Sequence, residues 1–163
     1  MSEASTPDRV EIYRRGRKFI VTSTVKDRFH GSSWFAAPPA VVLPDTVSDV
    51  QLGAAVMGAA DAVSELPSDE EEAAERGRES EEAVLAETGF SSWSALLRNA
   101  KLVSVSRRSD GGWLIQPMRK LRHGWDSPKE LPLCRPTELD SAVEEGELGE
   151  ALKTRLAEPT PTA

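Results

Sequence analysis

Cysteine is nearly absent from this chain of 163 residues. With Cys134 as its single thiol no internal disulfide can form, which suits a reducing compartment. Histidine is almost as scarce. His30, His123 and Cys134 supply the only soft metal ligands, no two at short spacing, so neither a metal nor a cofactor is expected. No GxSxG elbow, GxGxxG turn or GxxxxGK[ST] loop is present. Long apolar runs are missing too. Nothing approaches the roughly 18 residues that cross a bilayer. The opening MSEASTPDR has no apolar stretch behind a basic cluster. The expectation is a cytoplasmic protein with no membrane contact.

What is present suits one globular domain, with 39% hydrophobic and 29% charged residues. Residues 1–8 and 159–163 read as disordered ends. A single α+β domain is expected over 9–158, with an acidic helical insertion at about 65–88. The net charge of −7 is local. Between Glu65 and Glu87 ten carboxylates face only Arg76 and Arg78, a net −8, which leaves the rest of the chain at +1. Such a balance disfavours holding nucleic acid through its phosphates and favours a basic protein partner.

Along the chain, VEIYRRGRKFIVTST predicts a hairpin with strands at 10–14 and 17–24, turning at Arg15-Gly16. Residues 26–37 read as a loop, and AVVLP as a short strand. Ser48 and Gln51 form a capping pattern that opens a helix over 48–65. Ser68 and Glu71 repeat it for a second helix, with a break at Gly77 and a stop at Gly89. Ser91 or Ser92 caps a short helix bearing Trp93, Leu96 and Leu97. Leu102, Val103 and Val105 form a strand that turns at Ser109-Asp110-Gly111-Gly112 into Trp113-Leu114-Ile115. MRKLRHGWDSPKE reads as a polar loop, ELPLCRP as a strand holding Cys134, and EEGELGEALKTRLAE as the last helix.

The chain thus reads as two similar halves, each a β-hairpin, a short extra strand and a helix opening with Leu-Gly-x-Ala. Mainly antiparallel sheet is expected, packed by helices. The repeated letters are Leu52, Gly53, Ala55 and Leu148, Gly149, Ala151. A glycine inside a helix costs about 1 kcal/mol relative to alanine. Its recurrence at one place in both helices implies close packing there, with a strand as the expected neighbour.

Two loops, FHGSSWF and LRHGWD, each hold His-Gly near a tryptophan. Trp34 and Trp125 are either lids on the sheet or anchors for a partner. His30 and His123 read as solvated loop residues, with a small hydrolase as the rival reading. The acidic run is either a solvated insertion or a surface for a basic partner, with Asp69, Glu70, Glu71, Glu72 and Glu75 its leading residues.

The order GFSSWSALLRNAKLVSVSRRSDGGWLIQP, a proline-flanked strand and ELGEAL resembles the bacterial contact-dependent growth inhibition immunity proteins. IYRRGRKFIV, VVLP and SDVQLGAAV in the first half agree, so the likeness covers roughly residues 10–157. The resemblance implies a cytoplasmic protein without catalytic residues or cofactor, whose partner is the C-terminal toxin domain of a cognate effector, often a nuclease. Asp69, Glu70, Glu71, Glu72 and Glu75, with Trp34 and Trp125, are then the expected toxin contacts. The alternative is a non-catalytic adaptor with another basic partner.

Overall fold

A computed structural model describes residues 4–5, 9–27, 29, 33–62, 64–121, 124–127 and 131–158. The strands are β1 (Ala4–Ser5), β2 (Val10–Arg15), β3 (Lys18–Asp27), β4 (Ser33–Pro44), β5 (Ser64–Glu65), β6 (Lys101–Arg107), β7 (Trp113–Pro117), β8 (Arg119–Leu121), β9 (Gly124–Asp126) and β10 (Thr137–Leu139). The helices are α1 (Asp49–Asp61), α2 (Glu70–Thr88), α3 (Trp93–Leu97) and α4 (Glu145–Ala157). Six strands form one antiparallel sheet in the order β10-β7-β6-β2-β3-β4. It is an α+β fold with helices on both faces of this sheet.

Side chains alternate across a strand, so each strand serves two cores. Val10 and Ile12 of β2, Phe19 and Val21 of β3, and Val103 and Val105 of β6 join the core that holds Leu52 and Val56 of α1 and Leu148, Leu152 and Leu156 of α4. Tyr13, Ile20 and Leu102 point to the other side and meet Leu96 of α3, with Leu85 of α2 packed against them. Leu52, Val56, Leu148, Leu152 and Leu156 are fully buried, at 0% exposure. Each such side chain contributes about 1.5–3 kcal/mol of burial free energy.

The two motif glycines explain how α1 and α4 share one face of the sheet. A Cβ on Gly53 would lie 1.8 Å from the Glu145 carbonyl oxygen, and one on Gly149 would lie 1.8 Å from that of Asp49. The neighbour at both glycines is therefore the backbone of the facing helix, not a strand. Pairing Gly53 with Glu145 and Gly149 with Asp49 runs the helices antiparallel through their first turns. Lys153 locks the crossing, pairing with Asp49 at 2.9 Å and donating to the Val47 carbonyl.

Other expectations need correction. Helix α1 ends at Asp61, not residue 65: Ala62 is extended, and Ser64–Glu65 pairs with Ala4–Ser5, inside the stretch read as a disordered end. Strand β4 reaches back through the expected loop to Ser33, its ladder running from Asp27 opposite Ser33 to Lys18 opposite Pro44. The register shifts between Thr22 and Ser23, opposite Pro38 and Pro39. Proline has no N–H to give a ladder, so a bulge is where a strand can hold a pair of them. The polar loop after Pro117 contains a hairpin, β8–β9, closed by a bidentate Arg119–Asp126 pair at 2.8 and 2.6 Å. Cys134 lies buried in a 3-10 turn over Pro132–Cys134, and the strand follows at Thr137.

Helix α2 runs unbroken through Gly77 and stops at Gly89, whose φ of 80° no β-carbon residue adopts cheaply. Its cap is one residue later than the spacing predicts. Asp69 accepts from the Glu72 amide at 2.8 Å, while Glu72 accepts from the Ser68 amide at 3.0 Å and from its hydroxyl. Ser48 and Ser92 cap α1 and α3, accepting from the Gln51 and Ala95 amides at 3.1 Å each.

Gly53→Ala and Gly149→Ala should each destabilise the fold by about 2 kcal/mol or more, because a methyl group cannot occupy the space of a backbone carbonyl. Gly58→Ala, on the exposed side of α1 with nothing within 4 Å, should instead be neutral or stabilise by up to about 1 kcal/mol. Urea denaturation of the three variants measures both. Equal effects at Gly53 and Gly58 would refute the crossing.

Candidate partner-docking surface

The sheet face under α2 and α3 is not closed. A groove of about 700 Å³ opens between α2, α3, the β8–β9 hairpin and the sheet. Its volume is that of a site for a small ligand or a few side chains. Glu11 and Tyr13 of β2 supply its floor. Glu81 of α2 stands on its wall, and Trp34, Trp93 and Trp125 line it.

A charged network lies at the floor. Glu11 is only 7% exposed, in the middle of the sheet. Its carboxylate accepts from Arg9 at 2.7 Å and from the Tyr13 hydroxyl at 2.5 Å. Burial first, and the Glu11 carboxylate second, push the Tyr13 phenol well above its ordinary range, so it stays a donor. The Arg9 guanidinium stacks 4.5 Å from the centre of the Trp34 ring, and Lys120 lies 5.9 Å from that of Trp125. Tyr13 meets Trp93 edge to face, ring centres 6.2 Å apart. The Arg9 Nε and Trp34 Nε1 donors are buried without a hydrogen-bond partner. Such networks contribute little net stability relative to apolar packing, and they mark candidate functional sites.

Glu81 differs from Glu11 in having no hydrogen bond or ion pair among the described residues. Desolvation raises its pKa above the ordinary 4.5.

Of the residues singled out from sequence, Trp34 and Trp125 come together as half-buried walls of this one groove, combining lid and lining. The acidic residues divide by role. Asp69 and Glu72 hold the start of α2, and the Ser68 hydrogen bonds keep the Glu72 carboxyl below its usual range. Glu70, Glu71 and Glu75 are exposed, continued along the helix by Glu79 and Glu82. Glu87 instead accepts from the Ala40 amide at 2.7 Å and ties α2 to β4. His30 and His123 lie outside the described residues. Among the described residues no three His, Cys, Asp or Glu side chains converge as a metal site, and no helix is long and apolar enough to cross a membrane.

Arg9, Glu11, Tyr13, Glu81 and Trp93 were not anticipated from sequence. The one available signal was Glu11, an acidic residue two places before Tyr13 and flanked by Val10 and Ile12 in β2.

The family model described as CdiI, CDI immunity protein, matches residues 59–158, more than half of the chain. The chain belongs to this CDI immunity protein family. No curated protein matches it in sequence. Among solved structures it resembles a protein of unknown function from Neisseria meningitidis, with a TM-score of 0.68, 18% identity and 96% of each chain covered. It also resembles a chain of the CdiA-CT/CdiI toxin and immunity complex from Yersinia pseudotuberculosis, with a TM-score of 0.68 and 17% identity, covering 95% of this chain and 98% of that one. At these identities the two structures establish a shared fold. The CdiI match begins inside α1 and spans α2, α3 and α4, so it includes Glu81, Trp93 and Trp125 but not Glu11 or Trp34.

The raised pKa of Glu81 has a stability consequence for this CdiI member. A carboxyl whose folded pKa lies above its unfolded value favours the fold while protonated, and that advantage is lost as pH rises through the folded value. Glu81→Gln should therefore unfold at a higher temperature than the parent at neutral pH. The two should converge well below the ordinary value of 4.5. Thermal unfolding at the two pH values checks this, and a parent more stable than the variant at neutral pH would refute it.

Proposed function

We propose that this CDI immunity protein neutralises the C-terminal toxin domain of a cognate effector in the cytoplasm. It acts by docking, without catalysis or cofactor, through the single domain over 9–158. The toxin is a nuclease, and the outward face of α2 covers the cationic surface with which it would hold its substrate. The observation that carries this reading is the charge of α2 together with its family. Eight glutamates and two arginines between Glu70 and Thr88 give a net −6. Glu71, Glu75, Glu79 and Glu82 are all exposed. The naming of the Yersinia neighbour as a toxin and immunity complex supports a protein partner of this kind. Carboxylates arrayed on one helix steer a cationic partner and occupy sites that would take phosphates.

The purified protein should form a stable complex with the toxin domain encoded beside it, and the association rate should fall as salt rises. Replacing Glu71, Glu75, Glu79 and Glu82 with glutamine spares the Asp69 cap and the Glu87 tie, so the fold should persist. Association should slow by about tenfold at low salt, with a flatter salt dependence. Stopped-flow mixing measures both, and an unchanged rate would remove α2 from the interface.

A further inference from the structure

We propose that the groove beside α2 is an anchor site for one cationic side chain of the toxin, a lysine or arginine, held between the Glu81 carboxylate and the faces of Trp93 and Trp125. This deepens the docking reading above and rests on it.

Arg9 and Lys120 balance Glu11 and Glu81 in number along the groove, but the two carboxylates are not equally paired. Glu11 is answered at short range by Arg9 and by the Tyr13 hydroxyl. Arg9 is itself stacked on Trp34. Glu81 faces the same groove with no ion pair or hydrogen bond among the described residues, although α2 holds it partly out of water. A desolvated carboxylate without a counter-charge costs stability. Glutamine would fit the same space without that cost, so the carboxylate is explained by a cation that arrives with the partner. The walls agree. An ammonium or guanidinium is attracted to an aromatic face, and more strongly once desolvated. Lys120 already lies over Trp125 in this manner, and a volume of about 700 Å³ leaves room for one more long side chain. Glu81 sits on the same helix as the outward carboxylates, so a partner steered to α2 arrives at the groove.

The two parts of the surface then act on different rates. Exposed charge governs encounter, whereas a desolvated pair governs dissociation. With the complete protein and the toxin domain encoded beside it, Glu81→Gln should leave association nearly unchanged and speed dissociation by about tenfold, and Glu81→Lys should speed it further. Glu82→Gln, one residue along on the outward side, should act on association instead. Glu81→Gln should do this while being no less stable than the parent at neutral pH, a combination that a merely structural role would not produce. If both Glu81 variants dissociate at the parent rate from a toxin that the parent binds, the anchor site is wrong and the docking function stands. If the parent binds no toxin, both are overturned.

Discussion

The architecture turns on a contact between two backbones. Gly53 of α1 and Gly149 of α4 each lie against a carbonyl in the first turn of the other helix, where a β-carbon would stand 1.8 Å from oxygen. Helices that approach so closely can both lie on one face of the sheet, and Leu52, Val56, Leu148 and Leu152 descend from the crossing into a single core. The glycines weaken each helix locally by about 1 kcal/mol. What they make room for is the burial of five large aliphatic side chains at 0% exposure. With α1 and α4 packed on that face, the groove lies on the opposite one.

That opposite face is built differently. Its central row carries Glu11, Thr22 and Ser104, directly paired across three strands and all buried. A sheet that needed only stability would place valine or isoleucine there. The polar row interrupts the apolar packing of this face, and α2, α3 and the β8–β9 hairpin frame a groove beside the smaller core of Ile20, Leu96 and Leu102. The tryptophans at its walls keep their rings partly exposed, and the charged groups at its floor are held in fixed geometry by one another.

Much of this was legible in the sequence, for identifiable reasons. The hairpin turn at Gly16, the cap at Ser48, the stop at Gly89 and the Leu-Gly-x-Ala letters are local signals, and local signals survive folding. The leading acidic residues and the two loop tryptophans were also visible, but their roles were not. Whether Asp69 caps a helix or faces a partner depends on a one-residue shift in the helix start, which spacing alone does not resolve. Strand β4 was half missed because Pro38 and Pro39 read as a break, whereas a bulge in the ladder accommodates them. The β8–β9 hairpin was missed because a bidentate pair between Arg119 and Asp126 supports it rather than an apolar pattern. The groove was illegible because its residues come from β2, β4, α2, α3 and β9, and only the topology unites them.

Helix α2 gathers these threads. Its inner residues Ala73 and Val84 are buried, its ends are fixed by Asp69, Glu72 and Gly89, and Glu87 ties it to β4. These contacts use small side chains and a few carboxylates, and the outward positions are exposed, with Glu82 paired to Arg78 at 3.2 Å. Glutamate there is compatible with the helix and favourably placed in its first turn. A groove floor in the central strand is more constrained, because replacing Glu11 with an apolar residue leaves Arg9 and Tyr13 without their acceptor. Under the proposed docking the two regions suit different roles, with exposed charge on the outside of α2 and an aromatic recess beside it.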